Sequence, residues 1–278
     1  YTSGTTGLPK GCMHTHASVG FNTMAAALWG GATAEGVGLG VVPMFHITGM
    51  MYGVLGSVYL GSTVVLLPRW DRELAGRLIS RHGVTHWTCI PTMIIDLFGS
   101  PHYKSFDLSS LRYLSGGGAA MPHAVAERLQ KEFGLTFAEG YGLTETAAPS
   151  HANPPERAKL QCLGIPIFGV DSRIVDPDTL GPENLGRHAL GYPSLFKGKA
   201  AAMRDELKRQ FPLSNVEAID KPAQEVGALF RADLVVDATG EEALSEQLNA
   251  RRLDSGTKTP VLHTWILGNG EGVQSLWC

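Results

Sequence analysis

The chain has 278 residues, 44% hydrophobic and 18% charged, which gives enough apolar mass for one large or two modest cores and excludes a largely disordered polymer. A formal net charge of −3 supplies no basic field for nucleic acid or an anionic membrane surface, so function is expected in local sites and no nucleic-acid partner is expected. No apolar run reaches the roughly 18 residues of a membrane span, and Cys12, Cys89, Cys162 and Cys278 form no CxxC pair; neither a zinc site nor a disulfide framework is expected, and the expected location is cytoplasmic.

The chain opens inside a motif, YTSGTTGLPKG, with no initiating Met, which predicts a piece of a longer protein. Within the motif Gly4, Gly7 and Gly11 let the backbone turn tightly and bring amides to an anion, while Ser3, Thr5 and Thr6 supply hydroxyl donors and Lys10 a mobile positive charge. The string is neither a Walker A loop nor a GxGxxG dinucleotide loop. His14 and His16 are expected on a helix surface.

From Val37 to Leu67 the residues read as three short strands between Gly and Pro breakers: VGLGVVP, GVLGSVYL and STVVLLP. The stretch from Arg72 to His82 has helical spacing. Trp87 and CIPTMIIDLF, residues 89–98, read as core. Residues 107–114 lead into SGGGAAMP, and PHAVAERLQKEF, ending at Phe133, reads as an amphipathic helix with Pro in its first turn. Alternating strands and helices predict an α/β architecture. Beyond residues 176–183 the texture changes to a charged helix over 199–210 and two strand candidates, ADLVVDAT and TPVLHTWIL, which predicts a second module.

YTSGTTGLPKG resembles the signature loop of the adenylate-forming superfamily, which includes acyl-CoA synthetases, luciferases and peptide-synthetase adenylation domains. Three further motifs follow in that family's order: PMFHITGM, SGGGAAMP and EGYGLTET. The resemblance implies that the loop from Thr2 to Gly7 and Lys10 hold phosphates and that His46 sits between the nucleotide and acyl pockets. It implies that Gly116, Gly117, Gly118 and Ala119 lie along adenine, small residues allowing close approach to a flat base. In Glu139, Gly140, Tyr141, Gly142 and Thr144 it places further nucleotide contacts, Tyr141 stacking on adenine and Thr144 near phosphate. Glu145 is implied as a Mg²⁺ ligand, a hard donor for a hard cation. Lys10, His46 and Glu145 are the implied catalytic residues. Part of the acyl pocket is implied near residues 89–98.

The implied reaction is ATP-dependent activation of a carboxylic acid, of the fatty-acyl type, through an acyl-adenylate that coenzyme A then attacks. A carboxylate attacks the α-phosphate and pyrophosphate leaves, a transfer governed by positioning and charge neutralisation. Without the motif, His46 would read as a core histidine and Glu145 as a solvated carboxylate.

This resemblance runs from Tyr1 to about Leu180; the family's ribose-binding Asp motif, hinge and C-terminal catalytic lysine do not follow. Residues 174–278 resemble instead the ubiquitin-activating-like superfamily of the ThiF/MoeB type, carried by VDPDTLGPENLGRHALG, KGKAAAM, ADLVVDATG and TPVLHTWILGNG. It implies Asp176 on the ATP ribose, Arg187 and Lys199 on phosphates, Asn184 ordering the loop, and a ubiquitin-like protein as the alternative partner. The glycine-loop strand expected before Asp176 is missing, and Gly240 stands where a metal-binding Asp is expected. IVDPDTL, residues 174–180, satisfies both patterns, so a chimeric joint is expected there. The expected architecture is a partial adenylate-forming N-terminal domain, residues 1–180, followed by an incomplete Rossmann-like α/β unit, residues 181–278. A nucleotide-binding remnant without turnover is the non-enzyme alternative.

Overall fold

In the computed structural model, the described residues are 1–2, 9–184, 190–212, 214–267 and 272–277, with side chains described through residue 263. The chain divides into two units, Cys12–Asp171 and Tyr1–Gly11 with Ser172–Cys278.

In the first unit a seven-stranded sheet runs in the order β2-β1-β3-β4-β5-β6-β7. Its strands are β1 (Val37–Gly40), β2 (Thr63–Leu66), β3 (His86–Cys89), β4 (Tyr113–Gly116), β5 (Phe137–Leu143), β6 (Ala148–Ala152) and β7 (Ile165–Pro166). The first five in spatial order, β2 to β5, are parallel; β6 and β7 continue the sheet antiparallel. Parallel neighbours need crossovers, and α4 (Arg72–His82), α5 (Pro91–Phe98) and α6 (His123–Phe133) supply them.

Helices α4 and α6 stand where the sequence predicts them, and local signals punctuate all three. Asp71 caps α4, its carboxylate accepting from the Leu74 N–H at 2.8 Å, and Gly83 closes it in the left-handed region at φ 60°. Pro91 occupies the first turn of α5, and Gly134 ends α6 at φ 67°. Their apolar faces bury Ile79, Ile94, Leu97 and Leu129 against Trp87, Leu114 and Phe137 of the strands. Each such fully buried side chain contributes roughly 1.5–3 kcal/mol. Trp87 and, within 89–98, Cys89, Pro91, Ile94 and Leu97 are therefore core, while Ile90, Thr92 and Ile95 are exposed; Trp70 stacks on Trp87 with centroids 5.8 Å apart.

One expectation is overturned. GVLGSVYL is not a strand: α2 (Ile47–Met50), a π-helical turn (Met51–Leu55) and α3 (Gly56–Leu60) form consecutive helical segments through it. A short apolar run reads alike as buried strand or buried helix, and this one packs against α1 (His16–Trp29) and β1.

The second unit contains two parallel strand–helix–strand crossovers in separate sheets. In one, β8 (Ser172–Val175) and β9 (Val216–Ile219) flank α7 (Lys199–Gln210); in the other, β10 (Val235–Asp237) and β11 (Val261–Leu267) flank α8 (Glu242–Asp254), with β12 (Gly272–Trp277) antiparallel to β11. Asp237 and His263, register partners, form a buried pair at 2.7 Å from Oδ2 to Nδ1. Ser245 and Thr239 also donate to the Asp237 carboxylate, each at 2.7 Å, and Asn249 Oδ1 lies 3.2 Å from His263 Nε2. Burial pushes the Asp237 carboxyl up, but the hydrogen bonds from Ser245, His263 and Thr239 outweigh it and leave the group below the usual carboxylate range.

Candidate active site

The carboxyl ends of parallel strands are where α/β sheets place ligands, and β4 and β5 deliver three of the sequence motifs there. Gly116 ends β4, in register with Glu139 of β5. A Cβ on Gly116 would overlap the Cys89 carbonyl oxygen, and one on Gly117 would lie 2.6 Å from the Gly140 carbonyl oxygen. Gly118 adopts φ 81°, which a side chain would strain. The glycines therefore let two strand ends close on each other, leaving Gly118 and Ala119 exposed beyond them.

Tyr141 follows on β5, beside a bulge at Tyr141/Gly142. Its hydroxyl is buried and has no hydrogen-bond partner among the described residues. Burial first, and then the negative charge of Glu145, push that hydroxyl up to about 12. The same two causes raise the Cys12 thiol. Glu145, half-buried on the β5–β6 turn, thus bears electrostatically on both.

That turn is strained. Ala147 and Ala148 sit at φ 56° and 84°, a region costly for residues with a Cβ. Hydrogen bonds hold it: Thr146 Oγ1 accepts from the Leu143 N–H at 2.9 Å and donates to the Ala148 carbonyl at 2.7 Å. Asn22 of α1 donates to the Thr146 and Pro149 carbonyls at 2.9 and 3.2 Å. His14 Nε2 lies 2.7 Å from the Thr144 carbonyl oxygen and donates to it, with Cys12 Sγ at 3.3 Å. His14 precedes α1 rather than lying on a helix surface, and it acts as a tether. Sequence reading missed His14 and Asn22 because their partners lie more than 120 residues away, a separation with no local signal.

His46 is exposed at the N-cap of α2, its Nδ1 accepting from the Thr48 N–H at 3.2 Å. The next residue, Ile47, shares a small core with Met51 and Ala148, which joins the His46 helix to the Glu145 turn. Glu139 faces inward: 2% exposed, its carboxylate accepts from the backbone N–H groups of Gln161, at 2.8 Å, and Met121, and burial raises it above the usual carboxylate range. Its backbone carbonyl accepts from Asn153 Nδ2 at 2.9 Å.

Thr2 and Lys10, in the second unit, pair as an antiparallel bridge with N–O distances of 2.9 and 3.0 Å, and Lys10 is exposed. Ser3, Gly4, Thr5, Thr6, Gly7 and Arg187 lie outside the described residues. Asp176 follows β8, its carboxylate turned back onto the Asp178 N–H at 2.9 Å, and Lys199 pairs with Asp178 at 2.9 Å. Asn184 accepts from the Gly181 N–H at 3.0 Å, ordering its loop.

A buried hydroxyl without a partner among the described residues, on the strand whose Gly140 carbonyl closes on Gly117, suits a flat, polar-edged ligand, so a nucleotide fits the residues present. Among the described residues no group of three His, Cys, Asp or Glu could hold a metal. Glu145 as the lone carboxylate suits Mg²⁺, which keeps most of its ligands as water and phosphate oxygen. A separate apolar cavity of about 90 Å³ lies between the sheet and the helices, walled by Ala26, Ala27, Leu39, Met51, Leu60 and Val64. Thr48, two residues after His46, and the rings of His86 and Tyr113 also reach it. Burial and the nearby Arg112 charge hold His86 below the usual histidine value. No helix among the described residues is long and apolar enough to cross a membrane.

The model of a family described as AMP-binding enzyme matches residues 1–198. The chain is similar to the long-chain-fatty-acid–CoA ligase of Bacillus subtilis, 34% identical over 218 residues that cover 74% of this chain and 39% of that protein. It is similar to a feruloyl-CoA synthase of an Amycolatopsis species, 33% identical over 205 residues, covering 71% and 41%. In fold it is similar to the o-succinylbenzoate coenzyme A synthetase of Bacillus subtilis in complex with ATP and magnesium ion, with a TM-score of 0.54 and 34% identity over 60% of this chain and 35% of that one. The chain spans about two fifths of the length of the curated relatives it matches. The match through residue 198, the parallel sheet and the glycine and tyrosine motifs at its carboxyl end all lead to one assignment: the chain belongs to the AMP-binding enzyme family.

Proposed function

We propose that this chain carries the nucleotide-binding portion of an AMP-forming acid–CoA ligase that activates an acid with an apolar, fatty-acyl tail. The observation that carries the reading is the Tyr141 hydroxyl, buried, without a partner among the described residues and within the field of Glu145, one residue after the Gly140 carbonyl on which Gly117 closes. Tyr141 and the glycines bind the adenine; Lys10 and the hydroxyls of the loop after Thr2 neutralise phosphate charge. Glu145 would hold Mg²⁺, which supplies charge neutralisation on the phosphates when bound. His46 stands at the start of the helical run that walls the apolar cavity, which suits it to separating nucleotide from acyl tail.

In the chemistry, a carboxylate oxygen of the acid forms a bond to the α-phosphorus of ATP as the bond to pyrophosphate breaks. The thiol of coenzyme A then attacks the acyl carbonyl and AMP leaves. No protein nucleophile is needed; orientation and charge neutralisation supply the acceleration. The apolar cavity supports the fatty-acyl type, and the names of relatives, long-chain fatty acid and feruloyl, bracket apolar acids.

Acid-dependent exchange of labelled pyrophosphate into ATP tests the reading. Exchange that rises with dodecanoate and drops to background in Lys10→Ala and Glu145→Ala supports it. Exchange indifferent to both substitutions sinks it.

The AMP-binding match runs through residue 198, past the joint expected at residues 174–180 and over Asp176 and Arg187, and Asp176 turns its carboxylate onto the Asp178 N–H.

A further inference from the structure

Gly53 lies in the middle of the π-helical turn, buried, and lines the apolar cavity. A Cβ built on it would meet no heavy atom within 4 Å. The other described glycines with equally open surroundings are exposed or half-exposed, so the space before them is solvent. Gly53 is buried, and the space before it belongs to the cavity that it lines. Its neighbours differ: a Cβ at Gly49 would overlap the Pro43 carbonyl oxygen, and one at Gly56 would lie 3.0 Å from the Met51 carbonyl oxygen, so backbone packing explains both of those glycines. No protein atom explains Gly53. Glycine is among the costliest residues in a helix interior, and π-turns concentrate at functional positions.

The rest of the lining is as spare: Ala26 and Ala27 of α1 and Gly38 and Gly40 of β1 contribute to it, with His86 of β3 and Tyr113 of β4. The lining is mainly apolar, with hydroxyls from residues such as Thr23, Thr48 and Ser57 and no Asp, Glu, Lys or Arg, which suits an alkyl chain rather than a second carboxylate or an amine.

We propose that Gly53 sets how much alkyl tail the site accepts, the substrate's methylenes occupying the volume that a side chain at position 53 would fill. This rests on the acid-activating reading of the neighbouring site. The vacancy is part of the recognition surface, and chain length is read by it.

The test uses the full chain, with displacement of the fluorescent fatty acid cis-parinaric acid by butanoate, octanoate and dodecanoate. In the unaltered protein affinity should rise roughly fourfold per added methylene until the cavity is full. In Gly53→Leu the rise should stop at a shorter chain, weakening dodecanoate by roughly tenfold or more while leaving butanoate unchanged. Gly53→Ala should fall between them and melt no lower than the unaltered protein, because alanine favours the helix. If the leucine variant fails to fold, the alanine profile decides. The same length profile in all folded proteins, or no displacement by any acid, overturns the proposal. Pyrophosphate exchange on the same samples separates the two readings. Length-dependent binding without acid-dependent exchange sinks the acid-activating reading and leaves Gly53; exchange with an unchanged length profile does the reverse.

Discussion

His14 and Thr144 meet at 2.7 Å, imidazole Nε2 to carbonyl oxygen, across 130 residues of chain. The contact ties the segment after the glycine-rich loop to the turn that carries Glu145. His14→Ala frees a turn already strained at Ala147 and Ala148. Acid-dependent exchange should fall roughly tenfold or more, as misplacement of a charge-bearing turn does. Rescue by His14→Gln, which can still donate, separates tethering from general destabilisation.

Asn153 is buried and braces Glu139. Its amide donates to the Glu139 carbonyl at 2.9 Å and to the Cys162 carbonyl, and its Oδ1 accepts from the Lys159 N–H at 3.0 Å. Asn153→Ala removes the side-chain partner of the Cys162 carbonyl and the Lys159 N–H, while the Glu139 carbonyl keeps the residue-153 backbone N–H at 3.0 Å, and should lower unfolding free energy by about 2 kcal/mol in urea titrations. A loss below about 1 kcal/mol would show that water reaches them.

Gly116→Ala places a methyl on the Cys89 carbonyl oxygen. The strands cannot part without breaking the β3–β4 register, so a loss of about 3 kcal/mol is expected. Nucleotide affinity should fall with it, measured by fluorescence of a labelled AMP. Ala119→Gly, at an exposed position past the strand ends, should leave stability nearly unchanged.

His86 and His151 are both held below the ordinary histidine value of 6.5 by burial, His86 also by Arg112. Below 6.5 the unfolded chain binds protons that the folded chain refuses, so stability is full above that value and is lost as pH falls through the folded values. The urea midpoint should drop between about pH 7.5 and about pH 5, and drop less in His86→Gln. An identical pH slope in that variant would remove His86 from the account.

In the second unit, His263→Ala leaves the Asp237 carboxylate buried without its closest nitrogen partner. The expected cost is about 3–5 kcal/mol, and proteolysis should then cut between Ser172 and Leu262 while Cys12–Asp171 persists. The double variant Asp237→Asn, His263→Ala should recover part of the loss, since no charge is then left buried.

Much of the first unit could be read from the chain order of residues. Helical spacing over 72–82 announced α4, and the Pro opening PHAVAERLQKEF announced α6, because periodicity and breakers act within a few residues. GVLGSVYL was misread because its glycines and apolar residues carry no period, and only packing against α1 chose helix. In the candidate site, motif order singled out Tyr141 and Glu145 as expectations, whereas His14, Asn22 and Asn153 were silent: each is a polar side chain whose partner is a distant backbone carbonyl. Glu139 was grouped with the nucleotide contacts, yet its carboxylate faces the interior, because strand pleating sends it to the side opposite Gly140.

The sequence by itself determined the family, the alternation of strands and helices, and the residue types able to hold a nucleotide, since these rest on local spacing and backbone freedom. Tertiary structure alone decided which glycines are closures and which is a vacancy, which polar groups support the Glu145 turn, and where the apolar cavity lies. Those properties depend on atoms brought together from distant segments, and no local pattern encodes what a side chain will find opposite it.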